Sequence, residues 1–194
     1  MIGKGTKNLF SFLKNELSFP ENLIPEIMNF YKKEKLQKND FLVKKGHYCN
    51  KMCLIEDGYF RFFSLSEKKT ITHWIFDKNQ LVTDVSSFFL QQPAKWNIQA
   101  LTDTTVYSLT YPDYQKLRKQ IPEWDNYEKL FLIKLMSALE NRVYALLSMS
   151  SEERYQYLFK SDSNMFNELP LQYLASMLGM TPETLSRIRS KSNS

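Results

Sequence analysis

Between Leu169 and Lys191 the chain reads LPLQYLASMLGMTPETLSRIRSK, and its second half gathers groups able to recognise a polar anionic surface. At helical spacing, Pro182, Glu183, Ser186, Arg187 and Ser190 share one side, while Leu185 and Ile188 share the other. An arginine fork can donate to two acceptors at once, a glutamate can accept from an amino group, and hydroxyls do either. Arg189 and Lys191 add positive charge nearby. The chemistry on offer is recognition by hydrogen bonds and ion pairs, with no bond made or broken. The plain alternative is the solvated face of an ordinary helical hairpin, and the surrounding elements decide between the two.

Those elements agree with one another. Leu171, Leu174, Ala175 and Leu178 recur at helical spacing, and Ala175 is small enough for a second helix to cross closely. Gly179 falls where a tight turn requires positive φ. Thr181 followed by Pro182 has the form of an N-cap and first helical residue. Two short helices joined by a glycine turn, the second with a basic outer face, make a helix-turn-helix.

Ala175, Leu178-Gly179, Glu183-Thr184 and Ser186-Arg187 resemble the DNA-reading unit of the Crp/Fnr transcription regulators. The resemblance implies double-stranded DNA as partner, with Glu183 and Arg187 reaching base edges in the major groove. Arg187 would donate to a guanine edge, and Glu183 would accept from cytosine or orient Arg187. Pro182 and Thr184 belong to the same contact face. Thr181, Ser186, Arg189 and Lys191 would hold phosphates, with Gln172 at the start of the first helix as a further contact.

With 194 residues, 43% hydrophobic and 14% aromatic, the chain is long and apolar enough for a folded core. Its net charge of +5 suits a polyanionic partner without requiring one. Glu152, Glu153, Asp162 and Glu168 offset Arg154 and Lys160, so only the last helix is clearly positive. Cys49 and Cys53 are too few for a disulfide framework. No basic start leads into an apolar stretch with a cleavage site, and no apolar run is long enough to span a bilayer. The expectation is a cytoplasmic protein without membrane contact.

Ahead of the helix-turn-helix the texture changes twice. Leu9 to Leu17 and Leu23 to Tyr31 are spaced for short amphipathic helices, and Lys32, Lys33, Lys35 and Lys38 read as a solvated connector. From Asp40 to Tyr111, runs such as MCLI, YFRFF, TITHWIF and TVYSLTY alternate with turn residues, predicting short antiparallel strands. Turn residues separate them at Lys45-Gly46, Asp57-Gly58, Ser66-Glu67-Lys68-Lys69, Asp77-Lys78-Asn79 and Thr102-Asp103, and Asp57-Gly58 predicts a hairpin. Asp125 to Met149 then lacks proline and glycine and carries two apolar stripes. Leu132, Met136, Leu139, Val143 and Leu146 alternate by four and three like a coiled-coil seam, predicting a parallel homodimer. Phe131, Leu135, Ala138, Ala145 and Met149 form the second stripe, facing the chain's own core. Ser150 to Glu153 has the form of a capping box.

Lys45-Gly46, the stretch from Leu54 to Arg61, Pro93, Ala100-Leu101 and Tyr114 to Pro122 resemble the β-roll of cyclic-nucleotide-binding domains. The fold class expected is therefore α+β. An antiparallel β-roll (jelly roll) with N-terminal helices spans 1–124, a dimerisation helix 125–149, and a winged-helix-like helix-turn-helix domain 150–194. Asp162 to Leu169 leaves room for a small wing at most. The resemblance also implies a phosphate cassette opened by Gly-Glu and closed by an arginine after a proline. Here Asp84-Val85 and Ala94 stand in those places, and Lys95 should point to the opposite face of its strand. A buried phosphodiester would lack its counter-charge, so cyclic nucleotides are disfavoured and the effector is left open. Trp74, Phe76, Phe88, Phe89 and Trp96 could line a less polar pocket, with plain core as the alternative.

His47, Cys49, Cys53 and His73 match no metal-binding spacing, and no catalytic motif is present. Neither a metal, a cofactor nor an enzyme activity is expected. The reading is a sequence-specific DNA-binding regulator, with RNA polymerase a candidate further partner. The alternative is a small-molecule sensor or protein-interaction module that no longer binds DNA.

Overall fold

The computed structural model describes residues 6–66 and 69–192. Two compact units are present. The first holds the described residues up to Phe62 together with Ile75–Ile133, and the second holds Phe63–Trp74 and the chain from Lys134 onward.

The first unit opens with α1 (Thr6–Ser11), a π-helical turn (Phe12–Glu16) and α2 (Ile24–Met28). Strands follow: β1 (Lys32–Leu36), β2 (Phe41–Val43), β3 (Lys51–Asp57), β4 (Phe60–Leu65), β5 (Thr70–Phe76) and β6 (Leu81–Val82). After α3 (Val85–Leu90) come β7 (Asn97–Ala100), β8 (Thr104–Thr110) and α4 (Tyr111–Gln120). They build two four-stranded sheets, ordered β1-β8-β3-β6 and β2-β7-β4-β5. Alternation along β3 shows how the layers stack. Cys53 and Ile55 face a core shared with Val43, Phe60, Ile98 and Val106 of the other strands. Met52 and Leu54 face Leu13, Ile24, Phe88, Leu117 and Trp124, which come from the helices. Because both faces are covered, β3 reads as a continuous apolar run.

Two sequence expectations need correcting. Residues 32–36 form β1, an edge strand paired antiparallel with β8, where a connector was expected. Its lysines hid it, yet they are matched by neighbours: Lys33 pairs with Glu56, and Lys51 donates to Glu34 at 2.6 Å. Asp57-Gly58 makes no hairpin, since β3 and β4 lie in different sheets. Asp57 still pairs with Thr105, and only Gly58 takes positive φ, at +93°. A Cβ there would stand 2.6 Å from the Thr104 hydroxyl, so glycine is what lets the chain cross between layers. The β4–β5 connection is a hairpin, closed by the Ser66 N–H donating to the Lys69 carbonyl, with Glu67 and Lys68 outside the described residues.

The second unit is helical apart from the outer part of the β4–β5 hairpin. Helix α5 (Trp124–Ser148) leads into α6 (Ser151–Ser161), α7 (Met165–Glu168), α8 (Leu171–Met177) and α9 (Pro182–Ser192). The capping box forms as read: Ser150 Oγ accepts from the Glu153 N–H, and Glu153 Oε2 accepts from the Ser150 N–H at 2.7 Å. Between α6 and α8, where a wing had room, the chain forms α7, and no strand occurs among the described residues after Lys134. Among the described residues, no helix is long and apolar enough to cross a membrane.

Candidate nucleic-acid interface

Helix α8 buries Leu174, Ala175 and Met177, and α9 buries Leu185 and Ile188 against it. Between them Gly179 adopts φ +68°. The Met180 N–H donates to the Ala175 carbonyl at 3.0 Å and the Gly179 N–H to the Ser176 carbonyl at 3.2 Å, the paired bonds of a Schellman turn. That turn leaves the carbonyls of Met177 and Leu178 unsatisfied by the helix itself. Two arginines take them. Arg142 Nη2 donates to Met177 at 2.8 Å, and Arg154 Nε donates to Leu178 at 2.8 Å. Arg154 also donates to the Met149 carbonyl at the end of α5 and to Ser151 Oγ. Burial lowers the pKa of Arg142, whose guanidinium lies 5.0 Å from the Trp74 ring centre. Neither arginine stood out in the sequence, where Arg142 merely interrupts the stripe between Ala138 and Ala145.

Past the turn, Thr181 caps α9, its Oγ1 accepting from the Thr184 N–H at 3.2 Å. Its hydroxyl is thus engaged in holding the helix start. Glu183 is exposed, and its own backbone N–H and the Thr181 hydroxyl hold its carboxyl below the ordinary glutamate value. Leu171, Pro182, Glu183, Ser186, Arg187 and Ser190 border a shallow, open depression of the surface. Among the described residues no ion pair joins Glu183 to Arg187, and no hydrogen bond or ion pair to the protein involves the exposed Arg187 side chain. Ser190 Oγ donates back to the Ser186 carbonyl at 3.1 Å. Arg189 is drawn inward, 6.0 Å from the Phe166 ring centre, whereas Lys191 and Gln172 are exposed. The structure therefore places Glu183, Ser186 and Arg187 together on one open side, with Thr184 half-buried and Arg189 turned towards the protein.

On α5 the seam positions lie open, Met136 at 61% exposure, Leu139 at 52% and Val143 at 54%, with Leu132 and Leu146 less so. Phe131, Leu135, Ala145 and Met149 are half-buried on the other stripe, while Ala138 is exposed.

In the first unit, Asp84 caps α3, its Oδ1 accepting from the Ser87 N–H at 3.0 Å and from Ser86 Oγ at 2.9 Å. A carboxylate of the chain itself thus occupies the helix start. Ala94 is 3% exposed within the core that includes Phe60 and Ile98; Lys95 is exposed in the bend before β7, not on a strand as expected. The aromatic residues divide among separate roles. Phe88 and Phe89 join Tyr111 and Tyr114 in the helical core, and Trp96 meets Phe62 edge-on at 6.2 Å. Trp74 lies under Arg142 in the second unit. Cys49 and Cys53 are buried free thiols, and burial pushes the Cys53 thiol well up. Among the described residues no three metal-ligating side chains cluster.

Residues 33–120 match the family model of the cyclic nucleotide-binding domain. No curated protein matches the chain in sequence. Among solved structures, FixK2 from Bradyrhizobium japonicum superposes with a TM-score of 0.69 at 15% identity, covering 83% of each chain. A variant of CooA from Carboxydothermus hydrogenoformans gives 0.64 at 18% identity, over 95% of this chain and 83% of that one. A protein of Eubacterium rectale described as a transcriptional regulator of the Crp/Fnr family gives 0.68 at 15% identity, over 92% and 85%.

Proposed function

We infer, for a chain that carries a cyclic nucleotide-binding domain over 33–120 in the fold of the Crp/Fnr regulators, that it is a dimeric, sequence-specific DNA-binding transcription regulator. The observation that carries this reading is the open side of α9, where Glu183, Ser186 and Arg187 face outward and the Arg187 fork has no partner among the described residues. A protein surface that holds a rigid helix ready and leaves its arginine unengaged suits a groove lined with acceptors.

The division of labour we propose assigns 1–124 to the β-roll, 125–149 to dimerisation and 150–194 to DNA. The exposed seam Leu132, Met136, Leu139, Val143 and Leu146 would pair two copies in the cytoplasm and set two α9 helices about 34 Å apart. Arg187 reads guanine and Glu183 its cytosine partner or a neighbouring amino group. Lys191 and Gln172 contact phosphates, and Thr181 contributes through the cap it forms. The β-roll acts without a cyclic nucleotide, because Asp84 presents a negative charge at the α3 start and Ala94 supplies no cation. No catalytic step is assigned.

Selection of bound duplexes from random sequence tests the reading. The expected result is a two-fold symmetric site whose affinity falls steeply as salt rises. Enrichment of no sequence, with binding insensitive to salt, would instead favour a sensor or protein-interaction module. That second reading is supported by the engagement of Arg142, Arg154 and Arg189 within the protein, which leaves few free cations around α9.

A further inference from the structure

Three consecutive residues at the end of α8 are each held from outside the helix. Leu178 is held by Arg154 of α6 and Met177 by Arg142 of α5. Ser176 is held by the β4–β5 hairpin, where its Oγ accepts from the Thr72 N–H at 2.9 Å. The hairpin makes a second approach through Trp74, whose ring supports the Arg142 guanidinium at 5.0 Å. Thr72 and Trp74 belong to the same compact unit as α8, α9 and the part of α5 from Lys134 onward. No carboxylate pairs with Arg142 among the described residues, so its partners are a carbonyl oxygen and a ring face.

We propose that strand β5 of the β4–β5 hairpin carries a positioning element of the DNA-reading helices: Trp74 fixes Arg142 on the Met177 carbonyl, Thr72 fixes Ser176, and together they set the turn at Gly179 from which α9 departs. This rests on the DNA-binding reading above and extends it to residues far from the groove face. A half-buried guanidinium without a carboxylate stays in place only while its ring and carbonyl partners repay its lost hydration. Without the Trp74 ring, Arg142 can turn to water, and the Met177 carbonyl loses its donor. The end of α8 then frays within the Schellman turn, and the angle of α9 is no longer single-valued. The same two strands continue into the first unit as Phe62 and Phe76, whose rings lie 6.4 Å apart.

The test uses the full chain with Trp74→Leu, Trp74→Phe and Arg142→Gln. Hydrogen exchange of the Leu178, Gly179 and Met180 amides reads the turn without DNA. Trp74→Leu and Arg142→Gln should speed those amides about tenfold or more while α6 amides such as Leu158 stay unchanged. Trp74→Phe, which keeps a ring face, should restore most of the protection. On a duplex selected by the wild-type protein, Trp74→Leu should lower the ratio of specific to non-specific binding about tenfold with non-specific binding unchanged. Unchanged turn amides overturn the proposal whatever the DNA result, and so does equal acceleration throughout α6, which marks general loosening. Faster turn amides with an unchanged ratio also overturn it. If the wild-type protein selects no duplex, the DNA-binding reading fails separately, and the positioning claim fails with it.

Discussion

Arg154 on α6 donates from Nε to the carbonyl oxygen of Leu178 at 2.8 Å, and from Nη1 to the carbonyl oxygen of Met149 at 2.6 Å. One side chain thereby joins the end of α5 to the turn of the helix-turn-helix. Charged hydrogen bonds of this kind are worth about 1.5–3 kcal/mol each in a partly buried setting. Arg154→Ala should lower unfolding stability by about 2–4 kcal/mol, read as a shift of the denaturant midpoint. Arg154→Lys should recover little, because an ammonium cannot serve both carbonyls in the arginine's planar geometry.

Arg187 and Lys191 should separate by role. Arg187→Ala is expected to cost about 1–3 kcal/mol on the selected duplex and to relax preference at one base pair. Lys191→Ala should weaken all duplexes alike and reduce the salt slope by about one. Competition binding against single-base variants of the selected site checks both.

Val143 stands half in water in the single chain, so a charge there costs the protomer little. In a two-chain seam the same charge would be buried opposite its copy. Val143→Asp should therefore leave the melting profile of the fold at low concentration nearly unchanged and halve the mass seen by light scattering, to the 23.1 kDa of one chain.

The capping box carries a pH signature. The backbone N–H of Ser150 and then its side chain hold the Glu153 carboxyl below its ordinary value of 4.5. A lowered folded-state pKa means the stabilisation is present above the unfolded value and is lost as pH falls through the folded one. Ser150→Ala should cost about 0.5–2 kcal/mol at neutral pH and return the Glu153 titration, followed by NMR, towards 4.5.

What the sequence discloses here is what depends on near neighbours. The Gly179 turn, the Thr181 cap, the Ser150 capping box and the long α5 are each written within a few residues, and each is found in the structure. The apolar, β-branched and aromatic runs of β3, β4 and β8 likewise announce strands. Features that depend on distant partners stay hidden. Residues 32–36 read as a solvated lysine run because the β8 backbone and the Glu56 and Lys51 side chains that complete β1 lie elsewhere in the chain. Asp57-Gly58 has the composition of a hairpin, yet the close approach of Thr102 and Thr104 to Gly58 marks a crossing between sheets. Arg142 and Arg154 look like surface charge until the open carbonyls at the end of α8 are brought to them. The outward side of α9 was legible from spacing alone; what steadies it was not.

Strand β1 ends its sheet, and its outward row is lysine and glutamate. A second copy approaching that border meets charged side chains that must stay hydrated, so backbone-to-backbone stacking is discouraged. The apolar surface of α5 carries no such guard. If two copies pair through α5 as proposed, self-association would close as a pair instead of extending as a filament, and crowding should raise the fraction paired without seeding fibres.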